Sequence, residues 1–274
     1  SQAKPWVADS RGMTTKDSAL YTNSTLAINP NTGEIKWFYQ HIPGETIDME
    51  VGFERVLIDE DNKKLLYTIG KDGILWKMDR ETGEFISLLE TVEQNIYQKI
   101  NYKTGDLTYR DDILNSKIDN VFSVCPGIYG GHNWQAISYD KENNSLIIPL
   151  HQLCADMIGR QVERKEGFGG FGADSRSYEK PGVNGEIGKI ISVNLNEMKI
   201  NWSHEQEAMF LTSSLSTAGG ITFIGDLDRH FKAFNSKTGE VIWKTRLSSA
   251  LHGFPITYSI DDRQYVAVTT GMGV

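Results

Sequence analysis

One motif recurs along this 274-residue chain and constrains its fold more than any other feature. Leu26-Ala27-Ile28-Asn29-Pro30-Asn31-Thr32-Gly33-Glu34-Ile35-Lys36-Trp37 returns as Lys232-Ala233-Phe234-Asn235-Ser236-Lys237-Thr238-Gly239-Glu240-Val241-Ile242-Trp243. A degenerate copy runs Ser192-Val193-Asn194-Leu195-Asn196-Glu197-Met198-Lys199-Ile200-Asn201-Trp202, and in all three the Trp stands ten residues after the small residue. A fourth, Lys77-Met78-Asp79-Arg80-Glu81-Thr82-Gly83-Glu84, keeps the turn and lacks the Trp. Each copy predicts strand, Thr-Gly turn, strand, with glycine where φ must be positive. Self-similar β units carrying a periodic aromatic mark a β-propeller. The Trp is expected to pack between adjacent blades. Four copies imply about four blades, roughly half a closed ring with two uncovered blade faces.

The rest of the chain agrees with an all-β fold. Short apolar runs such as Leu65-Leu66-Tyr67-Thr68-Ile69, Leu146-Ile147-Ile148-Pro149-Leu150, Ile190-Ile191-Ser192-Val193 and Tyr265-Val266-Ala267-Val268 alternate with turn clusters such as Lys71-Asp72-Gly73. Helical periodicity is scarce. The formal charge of -8 and the lack of a long basic run disfavour nucleic acid and anionic membrane as partners. No run of apolar residues is long enough to span a bilayer as a helix. The chain starts Ser1-Gln2-Ala3-Lys4-Pro5-Trp6, without initiator Met or apolar signal core, and stops at Gly271-Met272-Gly273-Val274. Residues 1–274 are therefore expected to be a partial propeller domain, truncated at both ends.

Cys125 and Cys154 are the only cysteines, and composition leaves open whether they are buried thiols or a bridge. No C-x-x-C occurs, so the segment offers no c-type haem attachment and no zinc knuckle. A bridge would stabilise by roughly 3 kcal/mol and would require an oxidising compartment.

The Ala-x-Asn-x-x-Thr-Gly-x-x-x-Trp pattern resembles the tryptophan-docking repeat of the quinoprotein alcohol dehydrogenases, eight-bladed propellers that bind pyrroloquinoline quinone (PQQ) and a metal ion on the central axis. Related propellers of outer-membrane assembly share the repeats without the chemistry, so the connecting segments are more specific. Trp37-Phe38-Tyr39-Gln40 through Asp48 resembles the family's segment leading to its catalytic aspartate. Val121 to Cys154 resembles the segment holding a disulfide and a cofactor-binding asparagine, with the same 29-residue cysteine offset. Thr217-Ala218-Gly219-Gly220 and the repeat after it resemble the penultimate part of the propeller. The match covers nearly the whole chain and corresponds to the C-terminal half of the enzyme domain.

That resemblance implies roles residue by residue. Asp48, in Glu45-Thr46-Ile47-Asp48-Met49-Glu50, would be the general base and a metal ligand; a charge between Ile and Met needs a partner or a task. Glu50, two residues on, faces the same way if the segment is extended. The family's calcium-dependent methanol dehydrogenases carry a small residue there and the lanthanide-dependent ones an aspartate. Glutamate departs from both, so the ion stays open between calcium and a lanthanide, Glu50 being either a ligand or a solvated acid. Gln2 falls where the family has a metal-ligating asparagine. Lys71 falls where it places a cation on the quinone oxygen, the alternative being an exposed turn lysine. Asn133, in Gly130-Gly131-His132-Asn133-Trp134-Gln135, matches the amide that hydrogen-bonds the cofactor, while Trp134 is expected to pack and His132 to be either structural or functional. Leu211, opening Leu211-Thr212-Ser213-Ser214, would line the axis with backbone donors. Cys125 and Cys154 would form the disulfide. Gly167-Phe168-Gly169-Gly170-Phe171-Gly172 lacks the Lys-Ser/Thr of a phosphate cradle and reads as a loop between blades.

The resemblance further implies oxidation of a small primary alcohol with PQQ, a cytochrome c as electron acceptor, a periplasmic location, and an assembly state open to a homodimer. The family's stacking tryptophan, adjacent-cysteine disulfide and first metal-ligating glutamate would lie upstream of residue 1. Two other readings compete: a non-catalytic scaffold propeller that binds proteins, and a PQQ-dependent sugar or aldose dehydrogenase.

Overall fold

In the computed structural model every Asn/Asp-x-x-Thr-Gly copy closes its hairpin with the same local hydrogen bonds. The Asx side chain accepts the N–H of the residue two on: Asn31 to Asn29 Oδ1 at 2.9 Å, Glu81 to Asp79 Oδ1 at 2.8 Å, Lys237 to Asn235 Oδ1 at 3.0 Å. The threonine Oγ1 accepts from the following glutamate N–H, at 3.3 Å in each copy. The glycine N–H returns to the Asx carbonyl, and φ is 73° at Gly33, 77° at Gly83 and 74° at Gly239. In the degenerate copy Met198 stands at the glycine position and adopts φ 51°. A fifth turn of this kind, Asn101-Tyr102-Lys103-Thr104-Gly105 with Gly105 at φ 81°, was not among the copies read from the sequence.

The structure describes residues 8–14, 17–60, 62–161, 166–167 and 172–271. They form an almost entirely β molecule, with one 3-10 turn at Ala8–Arg11 and a single helical turn at Asp111–Leu114. Residues 168–171 of the glycine-rich stretch lie outside the described residues. The chain divides into two compact units, Ser1–Gly131 with Leu153–Lys180, and His132–Gln152 with Pro181–Val274.

In the first unit, Val56–Glu60, Lys63–Ile69, Ile74–Asp79 and Phe85–Glu90 pair in chain order as a four-stranded antiparallel blade. Ser24–Ile28 pairs with Ile35–Gln40, Tyr97–Ile100 with Leu107–Tyr109, and Leu153–Gly159 lies between Val121–Val124 and Ala173–Glu179. Ile42, Ile47, Met49, Val51, Ile74 and Trp76 belong to one buried cluster, which anchors the loop after the first hairpin to the blade.

The second unit holds two more four-stranded blades. Ser138–Asp140, Ser145–His151, Gly188–Asn194 and Lys199–Gln206 make one; Leu215–Thr217, Ile221–Gly225, His230–Asn235 and Val241–Arg246 make the other. Ile256–Ile260 and Arg263–Ala267 add a hairpin.

Tryptophan docking joins blades within each unit. Trp37 Nε1 donates to the Arg80 carbonyl at 3.2 Å, and its ring lies where a Cβ on Gly83 would come within 2.5 Å. Trp202 repeats this, donating to the Ser236 carbonyl at 2.9 Å, its ring 2.6 Å from where a Gly239 Cβ would be. The repeat glycine therefore serves two needs: a left-handed turn and room for the preceding blade's indole. The copy without Trp substitutes Phe85, which covers Gly105 together with Tyr39.

Candidate active site

The loop between Gln40 and Val56 carries Asp48, and its construction is local. Pro43 and Gly44 turn the chain, Gly44 at φ 66°. Glu45 follows, fully buried, and its Oε1 accepts the N–H of Ile47 at 2.5 Å and of Met49 at 3.0 Å. Asp48 between them takes φ 68°, in the left-handed region that aspartate tolerates better than most residues. Ile47 and Met49 are fully buried, so the side chains flanking Asp48 bind its loop to the core. Asn23 Oδ1 accepts the Val51 N–H at 3.1 Å, and the Arg55 guanidinium donates to the carbonyls of Val51 at 2.9 Å and Ser24 at 3.2 Å.

Lys71 comes from the turn after Lys63–Ile69. Its N–H donates to the Glu50 carbonyl at 2.9 Å, which sets the two segments side by side. Gly70 permits this approach: a Cβ there would meet Glu50 O and Val51 Cγ2 at 2.6 Å. Lys71 is 7% exposed, which overturns the alternative of an exposed turn lysine. Its Nζ lies 2.8 Å from Asp48 Oδ2 and 3.1 Å from Glu50 Oε2. The structure thus brings Asp48, Glu50 and Lys71 together. It does so through a left-handed bend at Asp48 rather than through the extended segment that spacing suggested.

Burial raises the Asp48 pKa, with Lys71 pulling against it and Glu50 adding to it. Burial works to lower the Lys71 pKa, but the two carboxylates outweigh it and hold the ammonium above its usual range. Beneath them, burial pushes Glu45 up to about 7, against the pull of the Met49 and Ile47 amides. Asp72, also fully buried, is raised to about 7 by burial and receives a hydrogen bond from Tyr97 Oη at 3.3 Å.

Asn133 and Leu211 belong to the second unit. Asn133 is half-buried and its Oδ1 accepts the Trp134 N–H at 2.9 Å. His132 is buried, its Nδ1 donating to the Pro149 carbonyl at 2.8 Å, and Trp134 packs on His252 and Phe254, which is the expected packing role. Leu211 is buried, and downstream the Ser213 and Ser214 amides donate to the carbonyls of Gly253 and Ala136. Gln2 lies outside the described residues. Cys125 and Cys154 form a disulfide in the first unit. Glu45, Asn23 and Arg55 were not singled out from the sequence. An acid directly after Pro43-Gly44 was the available signal, since a carboxylate at a loop start can cap the amides that follow.

Residues 7–108 and 182–266, more than half of the chain, match the PQQ family described as the glucose/ethanol/alcohol dehydrogenase β-propeller domain. The chain belongs to that family. A quinoprotein ethanol dehydrogenase of Pseudomonas putida is 30% identical over 98% of this chain and 45% of its own length. Methanol dehydrogenase (cytochrome c) subunit 1 of Paracoccus denitrificans is 31% identical over 91% of this chain and 41% of its own. Among solved structures, a europium-containing methanol dehydrogenase superposes with a TM-score of 0.88 at 26% identity, covering 93% of this chain and 46% of that one. The chain thus spans less than half the length of these relatives.

The residues of this PQQ-family chain suit the groups the family implies. Two carboxylates against one ammonium leave one net negative charge, and hard oxygen donors of this kind match calcium or a lanthanide. Among the described residues no three His, Cys, Asp or Glu side chains are placed to hold a metal, so these two would supply only part of a ligand shell. The buried Lys71 ammonium is a donor suited to an anionic quinone oxygen.

Proposed function

We propose that the whole protein to which this chain belongs oxidises a primary alcohol to an aldehyde, with Asp48 as the general base. The observation that carries the reading is the half-buried Asp48–Lys71–Glu50 cluster in a chain of this family. PQQ would supply the two-electron acceptor and a bound calcium or lanthanide ion the Lewis acid. Asp48 Oδ takes the hydroxyl proton as the carbinol C–H bond breaks and its hydride leaves. A carboxylate held beside cations stays ionised and is free to take this proton. Lys71 holds that carboxylate in place at 2.8 Å, and its ammonium would stabilise negative charge on the quinone when that is bound. Asp48 and Glu50 would hold the metal, with Gln2 as a third ligand, and Asn133 and Leu211 would contact the cofactor. The disulfide suits an oxidising periplasm, and a cytochrome c receives the electrons.

Dye-linked alcohol oxidation by the full-length protein, loaded with PQQ and either calcium or a light lanthanide, tests this beside Asp48→Asn. Activity should appear with one ion and fall by about 100-fold or more in the variant. No turnover with either ion, together with no PQQ binding, would transfer the chain to the scaffold propellers.

A further inference from the structure

We infer that Glu45 is a positioning residue for Asp48: its buried carboxylate clamps the two backbone amides that flank the base. This rests on the reading of Asp48 as the base. Three observations carry it. A single oxygen, Glu45 Oε1, receives both the Ile47 N–H and the Met49 N–H, at 2.5 and 3.0 Å. Those amides belong to residues that are 0% exposed, so water cannot take over their hydrogen bonds. The residue they bracket holds φ 68°, a conformation that costs a non-glycine residue roughly 1–2 kcal/mol and persists only where its surroundings impose it.

The chemistry follows from the geometry. Two inward-turned amides on either side of a left-handed residue form a small concavity for an acceptor oxygen, and here the oxygen is the chain's own Glu45 Oε1. With the backbone turned inward at 47 and 49, the Asp48 side chain projects away from the clamp and meets Lys71 Nζ at 2.8 Å. Releasing the clamp would let Asp48 relax to ordinary backbone angles and carry its carboxylate away from Lys71. Glu45 need touch neither substrate nor cofactor; it acts through the backbone. What it requires is an acceptor atom at Oε1, not a charge.

That requirement gives a test with two variants in the full-length, PQQ-loaded protein. Glu45→Gln retains the acceptor; Glu45→Met matches the length and shape without one. Glu45→Gln should keep kcat within about fivefold of the parent. Glu45→Met should lose about 100-fold in kcat with KM within about threefold, the scale expected when a reacting group is displaced by about 1 Å. The crystal structure of Glu45→Met should show Asp48 outside the left-handed region and its pair with Lys71 broken. Asn23→Ala, which removes the clamp on Val51 instead, supplies the comparison: it should lower the melting temperature without the matching loss of kcat. Equal kcat in the Gln and Met variants, or an unmoved Asp48 in Glu45→Met, would overturn the proposal. So would a folded Glu45→Gln as inactive as Glu45→Met. If Glu45→Met does not fold, the Gln variant decides: near-parental kcat supports the acceptor role and inactivity overturns it. Asp48→Asn runs in parallel; if it keeps full activity, the base assignment has failed and not the clamp, whose geometry the crystal structure reads separately.

Discussion

Met198 shows what the repeat costs when its glycine is lost. It holds φ 51° at the position where Gly33, Gly83 and Gly239 hold 73°, 77° and 74°. A side chain there strains against its own backbone, and glycine would relieve that strain at a smaller cost in unfolded-state freedom. Met198→Gly should stabilise by about 1 kcal/mol, read as a higher urea midpoint; an unchanged or lower midpoint would show that the Met side chain's packing outweighs the strain. His132 makes a different prediction. Burial presses its pKa to about 4, with the Pro149 carbonyl opposing and His151 reinforcing. Its unfolded value is about 6.5, so below that pH the unfolded chain takes up a proton that the folded one refuses. Stability should therefore hold above pH 6.5 and drain away by about 3 kcal/mol as pH falls toward 4. His132→Gln, which can still donate to Pro149, should flatten that part of the pH profile of the urea midpoint. A slope identical to the parent's would assign the acid sensitivity elsewhere.

Hairpins and their docking tryptophans explain why so much of the fold is legible in the sequence. Each turn is held by bonds between residues two to five apart, so Asn/Asp-x-x-Thr-Gly-Glu carries its structure within six letters. The indole contact is longer-range, but its periodic spacing announces it. Comparing three glycines separates the two demands. No atom of the described residues lies within 4 Å of where a Gly33 Cβ would go, at φ 73°; Gly83 and Gly239 at φ 77° and 74° face the rings of Trp37 and Trp202. Gly33→Ala should thus cost about 1 kcal/mol, from the backbone alone. Gly83→Ala and Gly239→Ala should each cost about 2–4 kcal/mol, because the ring must also move. Equal losses in thermal unfolding at all three positions would mean the indoles yield freely. The candidate site was less legible for the same physical reason. Asp48 and Lys71 came from resemblance, and their contact depends on a loop with no period. The spacing of Asp48 and Glu50 suggested an extended segment, which the amides of Ile47 and Met49 rule out by turning inward to Glu45. The Asn101–Gly105 turn escaped notice because Phe85 and Tyr39 cover it in place of a Trp.

At the scale of the molecule, the chain's path between its two units was not readable from spacing, because it depends on pairings far apart in sequence. The chain leaves the first unit after Gly131 and returns at Leu153, and the intervening segment supplies Ser145–His151, an inner strand of a blade in the second unit. Cys125 lies before the departure and Cys154 just after the return, both in the first unit. Their bond closes a loop that contains the entire excursion. Reduction therefore frees more than a local turn: the unfolded chain regains the entropy of a loop spanning a sequence separation of 29, worth about 3 kcal/mol. The native strands Val121–Val124 and Leu153–Gly159 remain hydrogen-bonded to each other without it, so the folded structure should persist. The full-length Cys125→Ala/Cys154→Ala variant should accordingly keep the parent's native circular dichroism and unfold at distinctly lower urea. The difference in midpoint between parent and variant should vanish when both are treated with a thiol reductant. Coincident midpoints for parent and variant would mean that strand pairing already restrains the unfolded loop. A variant with altered native spectra would instead make the bond a requirement of the folded state, and the stabilisation could no longer be assigned to chain entropy.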